Sequence, residues 1–415
     1  MAHTAGQTPQ LGRPPLDPGA FDLGSRLWVM HCADGPIPRA SARAVEDFLV
    51  KELGPWHLSL EKDFCGIPLR VKEEGARLLG ALKEDLTLTS TTTTGLALVA
   101  QGFPWRSGDE VVVPLGEFPA NAWPWRALDR RGVAFREVAL WEGHRAGAEA
   151  WRTAPPPPDV DPEAALLAGL SPNTRVLAVS WVRFQDGLRL DLGRLAAACQ
   201  ERGVVLAVDG IQGAGTLPLD LMRLEGIGAF ATGGHKGLLA PQGLGLLWTS
   251  PKVRISLSPP GGWLSVEEAL DFGRPSTDLE RAWAADGSKL EAGVPNLLGA
   301  VALEESLSVL NAAGPARIAA HVAALQASLL AELAKLPEFC SEALRLSGLL
   351  QAGRLGPILG FHQGGRTPRE LQDLLQKGFD SGVFASVREG YLRLAFHGWH
   401  REEDLDRILS WLSAS

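Results

Sequence analysis

The chain has 415 residues, 45% hydrophobic and 21% charged, which is enough apolar material to close a large core and excludes a disordered or fibrous chain. Its formal net charge is −8 with no block of clustered Lys or Arg, which argues against nucleic acid and anionic membrane as partners, since both select basic patches. The four cysteines, Cys32, Cys65, Cys199 and Cys340, are scattered without CxxC spacing, so neither a disulfide framework nor a zinc site is expected and no metal is assigned.

Residues 1–26 read as a polar arm rich in Pro and Gly. They lack the basic start and apolar core of a secretory leader, and no run of about 18 apolar residues follows, so the expectation is a soluble cytoplasmic protein. From residue 27 short apolar runs alternate with helical patterns. "DEVVVPL" (109–115), "RVLAVSWV" (175–182), "VVLAVDG" (204–210) and "LGLLWTS" (244–250) read as buried strands, the third and fourth as parallel ones, and "DLGRLAAACQERG" (191–203) as a crossover helix. Between them, "WEGHRAGAEAWRTAPPPPDVDPEA" (141–164) reads as a surface loop whose prolines forbid regular pairing. From about residue 299 helical spacing dominates, with strands expected at "PILGFHQ" (357–363) and "GYLRLAFHG" (390–398). The division is thus an arm (1–26), a large domain (27–298) and a smaller C-terminal domain (299–415), against which the N-terminal segment packs.

Asp209 closes the apolar run "VVLAVD" and so falls at the carboxyl edge of the sheet, where open α/β sheets bind ligands. Lys236 lies in "GGHKG", a turn whose glycines allow close backbone approach. An acid able to sit against a pyridine nitrogen and a lysine able to form an imine are the two groups that pyridoxal 5′-phosphate asks of a protein. Taken singly, Asp209 reads equally as a turn cap and Lys236 as a solvated charge.

The stretch "VDGIQGAGTLPLDL…GIGAFATGGHKGLLAPQGLGLLW" resembles the cofactor signature of the class V aminotransferase family, the fold-type I group that includes cysteine desulfurases, isopenicillin N epimerase-like proteins and kynureninases. "TSTTTTGLALVA" (89–100), "GEFPANAWPW" (116–125), "LEAGVPN" (290–296) and "GYLRLAFHGWHREEDLDRIL" (390–409) resemble further family segments, so that the likeness spans about residues 27–412. The resemblance implies an α/β fold with a mostly parallel seven-stranded sheet flanked by helices, a smaller α+β C-terminal domain, and pyridoxal 5′-phosphate as cofactor. It also implies a homodimer that completes the phosphate site with the "EAGVPN" segment of the second subunit. By the same resemblance Asp209 pairs with the ring nitrogen, Gln212 with the ring hydroxyl, Thr92, Thr93 and His235 with the phosphate, Phe118 lies on the ring, and Lys236 forms the Schiff base. Arg393 is implied as the clamp for a substrate α-carboxylate.

Departures from the family pattern carry information as well. Gly233 stands where a hydroxyl residue usually precedes "HK", and Val294 replaces a threonine. Arg183 and Phe184 occupy places where the family often has Asn or Ser; Arg183 either faces an anionic group of the substrate or points to solvent. "SGVFASVREG" (381–390), before Arg393, has no cysteine, and none of the four cysteines is expected near it, which argues against persulfide chemistry. The expectation is an enzyme acting on a small or cysteine-like L-amino acid, with a β-eliminating C–S lyase first. A transaminase using a small keto acid, an epimerase and a catalytically silent binding module are the other readings.

Overall fold

A computed structural model describes residues 12–145, 147, 154–363 and 365–413. Residues 1–11 of the expected arm, and 146 and 148–153 of the proline-rich loop, lie outside the described residues.

In chain order the strands are β1 (Leu27–Trp28), β2 (Leu86–Thr89), β3 (Glu110–Pro114), β4 (Ala134–Val138), β5 (Thr174–Ser180), β6 (Val205–Asp209), β7 (Ile227–Gly233), β8 (Gly245–Thr249), β9 (Ile358–His362), β10 (Val383–Phe384), β11 (Ser386–Arg388) and β12 (Tyr391–Ala395). The helices are α1 (Arg39–Leu53), α2 (Gly66–Leu79), α3 (Thr92–Gly102), α4 (Trp123–Arg126), α5 (Pro162–Ala168), α6 (Leu192–Arg202), α7 (Pro251–Ser256), α8 (Leu297–Ala313), α9 (Pro315–Leu333), α10 (Cys340–Gln351), α11 (Pro368–Asp380) and α12 (Glu403–Ser413).

Seven strands form the main sheet in the order β2-β8-β7-β6-β5-β3-β4. β3, β4, β5, β6 and β7 pair in parallel. β8 is antiparallel to both neighbours, β7 and β2, which corrects the reading of "LGLLWTS" as a parallel strand. The cause is the connection: residues 234–244 carry no helix, and a parallel return would need a crossover of a dozen or more residues.

The buried strands alternate large and small side chains. Leu177, Val179, Leu206, Val208 and Phe230 enter one core, whereas Val176, Ala178, Ala207, Ala229 and Ala231 face the other. The small face lets α3 come close. A Cβ on Gly95 of that helix would lie 3.1 Å from the Ala231 Cβ, tighter than ordinary contact. Close seating of α3 carries its first turn to the carboxyl edge where β6 and β7 end.

The smaller unit packs β11, β12 and β9 as an antiparallel sheet against its helices. Residue 299 falls inside α8, whose Ser306 hydroxyl reaches Ser41 of α1 at 2.8 Å and whose Asn311 donates to the Glu74 carbonyl of α2 at 3.0 Å. The N-terminal segment joins this unit: β1 pairs in parallel with β10, Met30 bridges Ala395, and Phe21 lies against Trp399 with ring centroids 4.9 Å apart. No single helix among the described residues is long and apolar enough to cross a membrane, and α8 and α9 meet at 72°.

Candidate active site

Asp209 is the last residue of β6 and only 2% exposed. Its Oδ1 accepts from the Ile211 amide at 3.0 Å, and it forms no ion pair among the described residues. Burial pushes its carboxyl up to about 7, the Ile211 amide opposes that, and the neighbouring Glu117 adds to it. A buried acid of this kind is suited to a cationic partner that a ligand brings. Gln212, in the turn that follows, donates Nε2 to the Cys32 carbonyl at 3.0 Å, while its Oε1 is buried without a partner.

β7 ends at Gly233 and leads into the turn that holds His235 and Lys236. The N-terminal segment pins this turn from outside, as the Gly35 amide donates to the His235 carbonyl at 2.7 Å. A Cβ on Gly35 would stand 2.2 Å from the Lys236 carbonyl oxygen, so only glycine fits that approach. Lys236 is buried, with Nζ 5.4 Å from the Phe118 ring centroid. Burial lowers its pKa from the ordinary value, Asp209 and Cys32 oppose the shift, and Arg393 and Arg388 add to it.

At the head of α3, Thr91 caps the helix by accepting from the Thr94 amide at 3.0 Å. That leaves the amides of Thr92 and Thr93 at the helix start, an arrangement suited to an anion. The Thr92 hydroxyl is buried without a partner. A Cβ on Gly233 would lie 3.2 Å from it and 3.3 Å from His235 Cε1, so Thr92, Gly233 and His235 surround one small space. Thr93 is exposed.

Arg393 of β12 is 3% exposed. Its Nε and Nη2 donate to Ser386 Oγ at 3.1 and 2.9 Å, its Nη1 donates to the Phe184 carbonyl at 2.7 Å, and no carboxylate pairs with it among the described residues. Arg183 points neither to solvent nor freely into the site. It is 2% exposed, donates Nε to Asp186 at 3.0 Å and Nη1 to the Leu115 carbonyl at 3.2 Å, and lies 5.4 Å from the Trp141 ring centroid.

Three groups here were not singled out from sequence. Cys32 sits with its Sγ 3.8 Å from Ser386 Oγ, although 354 positions separate the two. The expectation that no cysteine approaches the segment before Arg393 is therefore wrong. The thiol arrives from the N-terminal segment, which β1 and Met30 anchor beside β10 and β12. Glu117, next to Phe118, accepts from the Ser180 amide at 2.8 Å and its hydroxyl at 2.5 Å, and burial raises its pKa. His31 is buried beside the backbone of Ala395, with no side-chain partner for its ring nitrogens among the described residues. The only local signal for Glu117 was its place before Phe118; for Cys32 and His31, adjacency to the first strand was all that sequence offered.

A buried acid, a buried lysine and a helix start gather at one sheet edge with the unpartnered Thr92 hydroxyl and Gln212 Oε1, and this is the chemistry that pyridoxal 5′-phosphate asks of a protein. The family model for aminotransferase class-V matches residues 56–378, and the chain belongs to that family. It is a pyridoxal-phosphate-dependent lyase or transferase. It is 28% identical to isopenicillin N epimerase of Streptomyces clavuligerus over 97% of this chain and 96% of that one. It is 30% identical to cysteine desulfurase CsdA of Escherichia coli (strain K12) over 71% and 69%. Among solved structures, the complex of the cystine C–S lyase C-DES with its product cysteine persulfide superposes with a TM-score of 0.77 at 22% identity, covering 98% of this chain and 99% of that one.

Proposed function

We propose that the chain is a C–S lyase that cleaves the Cβ–S bond of a small cysteine-like L-amino acid. The observation that carries the reading is a buried Lys236, its Nζ 5.4 Å from the Phe118 ring centroid, near a buried Arg393 with no carboxylate partner among the described residues, whose Nη1 donates to the carbonyl of Phe184 beside Phe118. The isopenicillin N epimerase, desulfurase and cystine lyase likenesses support a sulfur-bearing or related amino acid.

Pyridoxal 5′-phosphate, when bound, supplies the electron sink for a bond broken at the substrate's Cα. Thr92, Thr93 and His235 would hold its phosphate, Asp209 its ring nitrogen, Gln212 its ring hydroxyl and Lys236 its aldehyde carbon, with Phe118 against its ring. Arg393 is held rigid by Ser386 and the Phe184 carbonyl and has lost its water, so an α-carboxylate gains a fixed, desolvated partner. Burial favours the neutral amine of Lys236, which can then take the Cα proton as a base. Phe118 covers the site but moves no proton. Loss of a thiolate from Cβ asks for no acid, so one base is sufficient, and hydrolysis of the released enamine gives pyruvate and ammonia.

The test is a panel of L-cysteine, L-cystine and S-alkyl cysteines, assayed for pyruvate, ammonia and thiol without added keto acid. Strict dependence on glyoxylate or pyruvate, with glycine or alanine formed, would replace this reading by transamination; inversion at Cα would replace it by epimerisation. A second reading has its own observation in Cys32. A thiol beside Ser386 and Arg393 could take sulfur from L-cysteine, leaving alanine and a Cys32 persulfide. Alanine formed one-to-one with persulfide, and lost in Cys32→Ser, would establish it.

The dimer belongs to the same proposal. A groove of about 950 Å³ beside the "EAGVPN" segment is lined by Leu60, Phe64, Leu69, Trp263, Phe272 and Val294, and a contiguous apolar face of this kind suits a second copy of the chain. A fully active monomer in sedimentation would overturn that assignment.

A further inference from the structure

The turn that carries Lys236 is fastened from three distant parts of the chain. The His235 carbonyl takes the Gly35 amide at 2.7 Å, the Leu239 carbonyl takes the Ser306 hydroxyl of α8 at 2.8 Å, and the Gly237 carbonyl oxygen lies 3.1 Å from His397 Nε2. Gly35 and His397 thus grip the residues on either side of Lys236, one from each end of the chain. The turn needs such support. Leu239 holds φ at +58°, a backbone conformation that a non-glycine residue keeps only where its surroundings impose it. Gly237 is also tightly enclosed, since a Cβ on it would stand 2.3 Å from the Ala214 carbonyl oxygen.

The His397 ring is fixed in one form. Its Nδ1 accepts from the Gly398 amide at 2.8 Å, so the ring proton is on Nε2, and Nε2 donates to Gly237. Burial pushes the pKa of this fully buried imidazole down to about 3, against the pull of the Gly237 carbonyl. It is neutral across the physiological range and, with both nitrogens engaged, neither takes nor gives a proton.

The ring is held in orientation as well. Trp399 stacks on it with centroids 4.7 Å apart. His400 Nδ1 accepts from the His397 amide at 2.9 Å, and His400 Nε2 donates to the Trp28 carbonyl of β1 at 2.9 Å. An imidazole kept both from titrating and from turning serves by geometry, and the geometry it sets is that of Gly237.

We propose that His397 is a positioning residue for Lys236: its Nε2–H fixes the residue that follows the lysine and so aims the amine at the reacting carbon. The proposal rests on the assignment of Lys236 as the base and adds the group that directs it. His397 lies four positions beyond Arg393 (397 minus 393), just past the end of β12. The clamp for the α-carboxylate and the brace for the lysine are therefore placed by one strand and its exit turn.

The test compares His397→Gln with His397→Asn, two amides of which only the longer reaches as far as Nε2. Gln keeps a donor for the Gly237 carbonyl, whereas Asn keeps an acceptor for the Gly398 amide and loses that donor. The probe is L-alanine with holoenzyme in D2O, because exchange of its α-proton needs the base and no leaving group. His397→Asn should lower the maximal exchange rate about tenfold or more, with the half-saturating L-alanine concentration changed less than about twofold. His397→Gln should stay within about threefold of wild type on both counts. Amide hydrogen exchange in the holoenzyme should quicken in the peptide covering residues 234–240 of the Asn variant and not of the Gln variant. Equal loss in the two variants, undiminished exchange in His397→Asn, a loss carried by the half-saturating concentration, or protection lost across the whole protein would overturn the placement. If borohydride fixes no cofactor on Lys236 in the wild type, the base assignment itself fails and the brace with it.

Discussion

Asp209 and Lys236 stand 27 positions apart (236 minus 209) at the ends of adjacent parallel strands, whereas Cys32 and Ser386, on the substrate side, are 354 positions apart. The first pair is placed by the regular spacing of one sheet, and any chain that forms β6 and β7 delivers both to the same edge. The second pair, with Arg393, depends on β1 meeting β10, on Met30 bridging Ala395, and on a small sheet docking beside a large one. The lesson is one of order: the half of the site assigned to the cofactor is a local product of the fold, and the half assigned to the substrate is a product of how the two ends of the chain are brought together.

That contrast should show in which kinetic constant each half controls. Lys236→Ala should abolish the visible absorbance of the lysine-linked cofactor and lower turnover on the order of 10⁴-fold or more; borohydride labelling of a different lysine would break the assignment. Asp209→Asn should retain cofactor yet lose on the order of a thousandfold in kcat with little change in KM. Near-normal kcat in that variant would remove the charge role given to Asp209. On the other side, Arg393→Gln should cost about a hundredfold in kcat/KM, ~3 kcal/mol, carried mainly by KM. An effect of Arg393→Gln confined to kcat would erase the distinction between the halves.

A smaller effect concerns stability of the cofactor-free protein. The folded-state carboxyl of Asp209 is raised to about 7 from 3.8, so between those values the folded state binds more protons than the unfolded state. Its contribution to stability therefore falls as pH rises from about 4 to 7, by a few kcal/mol at most. Cofactor-free Asp209→Asn should melt above the cofactor-free wild type at pH 8 and close to it at pH 5. A lower melting temperature at pH 8 would show that the carboxylate is already compensated within the protein.

The same division explains what was legible in the sequence. Asp209, Lys236 and the threonine turn could be read because strand, turn and helix signals place them without reference to distant chain, whereas Gln212 was legible only through the family resemblance. That buried strands alternate with crossover helices was readable, but the direction of β8 was not, since it is set by the length of a helix-free connection. Cys32 was set aside because no spacing rule reports that residue 32 will lie beside residue 386. Arg183 could be weighed only as solvent-facing or substrate-facing, because its pairing with Asp186 and its shelf on Trp141 depend on a side-chain packing that no periodicity encodes. Glu117 gives no signal beyond its place before Phe118 until Ser180 of a neighbouring strand reaches it.

The Gly35 contact with the lysine turn bears on biosynthesis. Gly35, Asp209 and Lys236 all precede Arg393 in the chain, yet the lysine turn is also held from the C-terminal side, where His397 Nε2 lies 3.1 Å from the Gly237 carbonyl oxygen. The lysine is thus synthesised well before Arg393, but its turn is fully supported only once the C-terminal strands are in place.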